Sequence, residues 1–288
     1  MTQMAYIVIV VLRIMSICHR QIATQSSHAG KGACSFILFR ILRNNLRNLP
    51  LKVEACLPRD TKLWRYMDLA KFVSLLDARN LWLARSDTFK DQSEGRFPDE
   101  MRIAIQSAYE SFEEKEGSPI NNADDFQLYL CRNAYVSCWH KNVEENMVMW
   151  ELYGRGGNTV AIQTTVEKLR TNISTKDRGC REFYLRNVKY SRPEDVKGQL
   201  SYSAPFFIKR PHFSFEQEAR ILLSTYSACR PEKETPLGVT VSLDLAAAIE
   251  KVLVHPDSQE WFVGAVKSVA AKFGLSAPIE RGVYGNKC

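Results

Sequence analysis

The spacing of apolar residues predicts intermingled helices and strands after residue 60. Apolar positions recur at helical intervals in segments that predict helices over 68–78, 99–116, 125–132, 143–152 and 259–273. Thr164 and Glu167 have the spacing of a capping box, which predicts a short helix that begins there. Apolar or alternating runs predict strands over 81–84, 135–139, 158–163, 182–190, 212–223, 239–243, 251–254 and 279–284. Because these elements do not follow strict βαβ alternation, we expect an α+β fold with a mixed, largely antiparallel sheet and flanking helices.

The first 60 residues have a different, basic character. They contain eight Lys and Arg residues and two acidic residues, so they supply +6 of the formal net charge of +7. Their apolar stretch, which starts at Ala5, is shorter than the roughly 20 residues that span a bilayer, and no basic residues precede it as in a secretory signal. A transit peptide or an over-extended gene start would give the same composition. We therefore expect a basic N-terminal extension over 1–60, a single α+β domain over 61–288, and no membrane span.

Charge and cysteine content limit the classes of function. Residues 61–288 carry only +1, which disfavours a nuclease or a nucleic-acid binder. The five histidines lie far apart in the sequence and the eight cysteines form no CxxC pair, so we expect no metal site and no redox centre. The cysteines are also too sparse for a disulfide scaffold, and reduced thiols in a cytoplasmic protein are the simplest interpretation.

Three charged residues follow one another at strand spacing near the end of the sequence. Phe213, Phe215, Ala219 and Ile221 would point to one face of a strand, and Glu216, Glu218 and Arg220 would share the other. Two carboxylates two residues apart on a strand lie about 7 Å from each other, so they can grip one polar substrate in different protonation states. The same pattern is also typical of the solvent-facing side of an antiparallel strand with compensating charges.

Two earlier segments also carry candidate chemistry. Arg65 lies between Trp64 and Tyr66 just before a predicted helix, where a guanidinium and free backbone amides can hold a phosphate. It can equally be a plain edge-strand arginine. The polar loop over 86–95 lacks the periodicity of a calcium loop, so we interpret it as a substrate-side or structural turn.

The strand over 135–139 contains Ser137 and Cys138, with His140 directly after it. This combination raises the hypothesis of a nucleophile and its base. No orienting acid is identifiable nearby in the sequence, and a buried cysteine with a polar histidine at a strand end is the commoner arrangement.

Several short motifs in a fixed order carry a family resemblance. They read WRY at 64–66, LLDARNLWLARSDTFKD at 75–91, VSCW at 136–139, MWELYG at 149–154, VKY at 188–190, FEQEARILL at 215–223 and KVLVHP at 251–256. In this order and spacing the chain resembles, over about residues 62–284, the bacterial family called domain of unknown function 2971. The chain departs from the family after Phe89, where the family tends to read Asn-Asp-Pro and here Lys90, Asp91 and Gln92 stand.

The motif layout is also similar to that of ADP-ribosyltransferase-like domains. That resemblance implies that Arg65 holds the pyrophosphate of NAD, that Glu218 stabilises the ribose and an oxocarbenium-like transition state, and that Glu216 positions the acceptor. The catalytic set would then be Glu218, Glu216 and Arg65. The side chains expected to contact the substrate are Tyr66, Ser137, Trp139, Tyr153 and Arg220.

The resulting hypothesis is an NAD-consuming ADP-ribosyltransferase or NAD glycohydrolase, in the setting of a toxin or a phage-defence effector. NAD would be a substrate and not a bound cofactor, and the acceptor, a protein or a nucleic acid, stays open. The alternative is a non-enzymatic ligand-sensing or protein-interaction module. For the enzyme hypothesis we expect Arg65, Ser137 and Glu218 to line one cleft.

Overall fold

The computed structural model describes residues 48–91, 93–111, 120–154, 157–176, 182–198, 200–226 and 235–283. Twelve strands of this part of the chain form one sheet, and its pairs are antiparallel except β2–β8 and β13–β14. The strands are β1 (Asn48–Pro50), β2 (Lys52–Val53), β3 (Lys62–Asp68), β4 (Asn80–Arg85), β5 (Ala134–Lys141), β6 (Thr159–Thr165), β7 (Ile173–Lys176), β8 (Glu182–Asn187), β9 (Lys189–Tyr190), β10 (Ile208–Lys209), β11 (Glu218–Ser224), β12 (Gly238–Leu243), β13 (Lys251–Val254) and β14 (Ile279–Arg281). β9 and β10 form a separate parallel pair.

Seven helices of the described chain flank the sheet, which confirms the predicted α+β fold. They are α1 (Leu69–Ala78), α2 (Asp99–Glu110), α3 (Ala123–Arg132), α4 (Met147–Tyr153), α5 (Val166–Asn172), α6 (Leu245–Ala248) and α7 (Glu260–Lys272). None of the helices in the described ranges is long and apolar enough to cross a membrane.

The sheet forks at β5. Along one edge β5 pairs with β11 over the whole of that strand, from Ala134 to His140. Along its other edge it pairs with β4 at residues 135–136 and with β3 at residues 140–141. β4 then continues to β12, β7 and β1, whereas β3 continues to β6, β13 and β14. Residues 137–139 of β5 therefore have a strand neighbour on one side only, and a gap opens between β3 and β4.

The two faces of the β5–β11 ribbon pack into different cores. Trp139, Ala219 and Ile221 belong to the main core, together with buried residues of α1, α5 and α7. Val136 and Leu222 point the other way and pack with residues of α2 and α3 in a second cluster. This division follows from the strand period of two, because consecutive side chains point to opposite faces.

Side-chain caps set the start of two helices and correct two predicted boundaries. The Asn146 side chain accepts hydrogen bonds from the backbone amides of Val148 and Met149, so α4 begins at Met147 and not at residue 143. The predicted capping box at Thr164 is wrong by one residue. Thr165 caps α5 by accepting from the Lys168 amide, whereas Thr164 donates to the Ala248 carbonyl.

The predicted strand over 212–223 is wrong in its first half. Pro211–Glu216 is a 3-10 helix, and β11 begins only at Glu218. Pro211 favours this turn because its fixed φ suits the first helical position. Gln217 between the two elements has a left-handed backbone with φ 40°. Glu216 therefore does not lie on the strand that carries Glu218 and Arg220.

Residues on both sides of the expected domain boundary at 60 take part in the sheet. β1 pairs with β7 and β2 pairs with β8, while Leu51 and Leu57 are buried in the main core. Residues 1–47, together with Phe112 and Tyr284 from predicted elements, lie outside the described residues. The division into an N-terminal extension over 1–60 and a single domain over 61–288 stays a prediction.

The packing of β4 into the main core gives a stability prediction. Leu83 on β4 is fully buried in the main core, so Leu83→Ala should lower the free energy of unfolding by about 2–5 kcal/mol. The matched control Leu128→Ala, at a side chain that is 44% exposed, should change it by no more than about 0.5 kcal/mol. Urea denaturation measures both. Equal losses in the two variants would contradict the assignment of Leu83 to the core.

Candidate functional site

Arg65 occupies the gap where the sheet forks. It extends from β3 and donates hydrogen bonds to the Ser137 hydroxyl on β5 and to the Trp82 carbonyl on β4, the latter at 3.4 Å. Its guanidinium also lies 5.9 Å from the centre of the Trp139 ring. Arg65 thus bridges the three strands that meet at the fork. Its side chain is half-buried, and burial lowers its pKa.

Arg65 has no acidic partner among the described residues. No carboxylate of that part of the chain lies within ion-pair distance of its guanidinium, and its two hydrogen bonds go to neutral oxygens. A half-buried guanidinium with neutral partners can accept an anion, since Arg pairs readily with phosphate or carboxylate oxygens.

A buried ion cluster lies on the face of β5 and β11 that carries Cys138. Arg220 is 1% exposed and pairs with Glu218, which is 3% exposed, through two bonds of 2.5 and 2.9 Å. The Arg220 guanidinium also donates to Glu94 at 2.5 Å and to the Phe206 carbonyl at 2.8 Å. Arg220 is therefore fully engaged and unavailable to a ligand.

Lys209 is the second cation of the cluster. Its ammonium lies 2.6 Å from Glu216, 3.2 Å from Glu94 and 3.5 Å from Glu218. The cluster contains three carboxylates and two cations, so its formal charge is −1 when all the groups are ionised. We refer to Glu94, Lys209, Glu216, Glu218 and Arg220 as the ion cluster.

Main-chain and hydroxyl contacts hold the two glutamates of the Glu-x-Glu motif in place. The Glu218 amide donates to the Tyr190 hydroxyl at 2.8 Å, and the Cys138 thiol donates to the Glu218 carboxylate. The Glu216 carbonyl lies 2.6 Å from Nδ1 of His140. A small surface pocket is lined by Glu94 and Lys209 of the cluster, together with Asp91 and Arg210. Glu216 and Glu218 do not line it.

The two glutamates have opposite pKa shifts. Burial would raise the pKa of Glu218, but the adjacent Arg220 and Lys209 outweigh it and hold the pKa below its usual value. Burial raises the pKa of Glu216, and Lys209 offsets only part of that effect. Two carboxyl groups whose environments separate their pKa values can serve as a permanent negative charge and as a proton carrier.

The structure divides the predicted site residues into two groups. Ser137 points to the face opposite Glu218, because Ser137 pairs with Ile221 whereas Glu218 pairs with His140. The expectation that Arg65, Ser137 and Glu218 line one cleft is therefore wrong for Ser137. Arg65 donates a hydrogen bond to the Ser137 hydroxyl and so lies with Ser137. Burial, together with the nearby charges of Glu216 and Glu218, raises the pKa of Tyr153.

Four of the five predicted substrate-binding residues are buried, namely Tyr66, Ser137, Trp139 and Arg220. Trp139 is 1% exposed in the main core. Tyr66 packs edge-on against Trp150, and its hydroxyl accepts from the Asn146 amide, so it supports the start of α4. Tyr153 is 49% exposed and remains available for a ligand.

Sequence reasoning missed two members of the ion cluster. Glu94 lies in the loop interpreted as a substrate-side or structural turn, and Lys209 lies on the two-residue strand β10. Neither follows a periodic pattern, and Glu94 is 126 residues from its partner Arg220. The buried thiol of Cys138, whose pKa burial raises well above its usual value, is a poor nucleophile because the thiolate is the reactive form. No group of His, Cys, Asp and Glu in the described ranges could hold a metal ion.

The removal of the central arginine tests the ion cluster. Arg220→Met would leave Glu218 and Glu94 buried without their shared cation, so we expect a loss of about 3–5 kcal/mol in unfolding free energy. The control Arg102→Met removes an exposed pair with Asp124 and should cost far less. Chemical denaturation of both variants makes the comparison, and similar losses would show that the cluster is not buried as described.

The lowered pKa of Glu218 predicts a pH dependence. Because the folded-state pKa lies below the unfolded value of about 4.3, the ion pair contributes stability above that pH and loses it as the pH falls through the folded-state pKa. The unfolding free energy of the wild type should therefore fall more steeply below about pH 4.3 than that of Glu218→Gln. Denaturation curves over this range measure the two slopes, and identical slopes would contradict the pairing.

Comparison with known proteins gives limited information. No protein-family model and no curated protein matches the chain. Among solved structures, Thermus sp. 2.9 DarT in complex with ADP-ribosylated ssDNA is 10% identical with a TM-score of 0.36, over 82% of this chain and 97% of that chain. Thermus sp. 2.9 DarT in complex with NAD+ is also 10% identical with a TM-score of 0.36, over 78% and 96%. Such a TM-score is too low to establish a shared activity, and membership of domain of unknown function 2971 stays a prediction.

Proposed function

We propose that this protein cleaves the N-glycosidic bond of NAD and transfers the ADP-ribosyl group to an acceptor or to water. The observation that carries the proposal is the register of three adjacent strands. His140 of β5 pairs with Trp64 of β3 along one edge and with Glu218 of β11 along the other. Arg65, which has no acidic partner in the described chain, is the next residue of β3 after Trp64.

This charge arrangement matches the needs of the reaction. The C1′–N bond breaks, nicotinamide leaves with the bonding electron pair, and positive charge develops on the ribose. A fixed negative charge in a site of low dielectric stabilises such a transition state. Glu218 would supply that charge, because Arg220 and Lys209 keep it ionised. Arg65 would bind the pyrophosphate of the same substrate.

Glu216 would handle the acceptor. A hydroxyl or amine of the acceptor, or water, forms the new bond to C1′ and gives its proton to the Glu216 carboxylate. Burial raises the pKa of Glu216, which brings its proton affinity closer to that of an effective general base. The side chain of Glu216 is 12% exposed, compared with 3% for Glu218, so it is the more accessible of the two.

Nicotinamide release from labelled NAD tests this proposal. With wild-type protein and a cell lysate as the source of acceptor, we expect release that Glu218→Gln reduces by about 100-fold or more, as for the loss of a preorganised electrostatic group. Arg65→Met should mainly raise the KM for NAD, since the phosphate contact is present in the ground state as well.

The control for this assay is Glu260→Gln on α7. It removes a carboxylate that pairs with Arg281 of β14. Its release rate should equal that of the wild type. Wild-type protein that releases no nicotinamide under any condition would contradict the proposal, as would a rate that Glu218→Gln leaves unchanged.

A second candidate function has its own support in α4. This helix exposes an apolar face in which Met147, Val148, Leu152 and Tyr153 are 42–57% exposed. An apolar patch next to a charged site is typical of a surface that binds a partner. A non-enzymatic ligand-sensing or protein-interaction module would use this face, and the absence of nicotinamide release would favour it.

A further inference from the structure

Lys209 belongs to the ion cluster, and the proposed reaction assigns it no role of its own. Its ammonium contacts the three carboxylates of the ion cluster, and the shortest distance, 2.6 Å, is to Glu216. The pairing of β10 with β9, in which Lys209 lies opposite Tyr190, fixes its backbone. The Phe213 ring lies 4.7 Å from the ammonium. Lys209 is thus held from several sides.

Lys209 and Arg220 share Glu94 and Glu218, whereas Glu216 pairs with Lys209. Arg220 uses its guanidinium for Glu218, Glu94 and the Phe206 carbonyl. Among the described residues, Lys209 is the only cation within ion-pair distance of the Glu216 carboxylate. Glu216 also lies on a 3-10 turn followed by the left-handed Gln217, outside the regular strand. Its side-chain position therefore depends on Lys209.

Resting on the proposed function, we propose that Lys209 is a positioning residue that holds Glu216 beside Glu218 and keeps it ionised to accept the proton of the acceptor. Lys209 itself stays protonated throughout. The proton moves from the acceptor oxygen or nitrogen to the Glu216 carboxylate, while the acceptor forms its bond to C1′ and nicotinamide leaves.

The charged groups around Glu216 determine in which direction its titration midpoint should move when Lys209 is replaced. Glu218 on β11, Glu94 on the loop before α2, Tyr190 on β9 and Tyr153 on α4 interact with this group or its ion cluster. His140 on β5 contacts only its backbone carbonyl. Burial and the two neighbouring carboxylates favour protonated Glu216, whereas Lys209 favours the ionised form. Without Lys209, Glu216 should hold its proton to higher pH.

Carbon-13 NMR titration of the Glu216 carboxyl carbon, assigned with Glu216→Gln, tests this inference without any substrate. Lys209→Met should raise the titration midpoint by about one pH unit or more. Lys209→Arg, which keeps the charge, should stay close to the wild type. The control Lys71→Met removes an exposed pair with Asp68 and should leave the midpoint unchanged.

A second variant keeps the test decisive if Lys209→Met does not fold. Glu94→Gln removes a carboxylate that competes for Lys209, so the Glu216 midpoint should fall. The loss of Glu94 repulsion alone would give this fall, so Lys209 is tested by adding Lys209→Met to Glu94→Gln. The double variant leaves fewer buried carboxylates without a cation, and its midpoint should lie above that of Glu94→Gln. Equal midpoints in Glu94→Gln and the double variant would overturn the inference.

The pH profile of nicotinamide release separates this inference from the proposed function. In an active protein, Lys209→Met should shift the acidic limb of the profile upward in parallel with the NMR midpoint, and Lys209→Arg should not. If Lys209→Met releases nicotinamide with an unchanged acidic limb and an unchanged Glu216 midpoint, the positioning role of Lys209 is rejected. The proposed function is then unaffected. Wild-type protein without release would reject the proposed function, whatever the titration shows.

Discussion

The ion pair between Arg220 and Glu218 is the interaction on which the site depends. The two residues are separated by one position on β11, so their side chains point to the same face and meet at 2.5 Å. Both are almost fully buried, and charges in such a place are tolerated only when partners satisfy them. Glu94 and the Phe206 carbonyl complete the coordination of Arg220. One guanidinium thereby joins the loop before α2, the turn before β10 and the centre of the sheet.

The fork at β5 holds a further cation, on the edge of β5 opposite to β11. β3 and β4 pair with opposite ends of the same edge of β5, so the middle of β5 faces a gap and not a neighbouring strand. Arg65 fills this gap with bonds to Ser137 and Trp82. A continuous sheet would place the residues of its two faces in separate environments. The gap instead lets the Arg65 side chain reach hydrogen-bond acceptors on both β4 and β5.

The sequence predicted the local features and missed the non-local ones. Helical spacing located α1 and α7 within one residue at each end, and β13 matched its prediction, because these elements depend on short-range periodicity. The alternation over 213–216 wrongly suggested a strand, since Pro211 and Gln217 fix a turn there. The fork, Glu94 and Lys209 depend on pairings between residues that are distant in the sequence. A single sequence carries no signal for such pairings.

The binding of NAD, followed by NMR, tests the central claim most directly, because it reports on location and not on turnover. If the fork is the substrate site, NAD should produce saturable shifts in the side-chain signals of Arg65 and Tyr153, while the exposed Trp261 on α7 stays unchanged. The absence of saturable shifts at Arg65 and Tyr153, or shifts confined to another surface, would contradict the account.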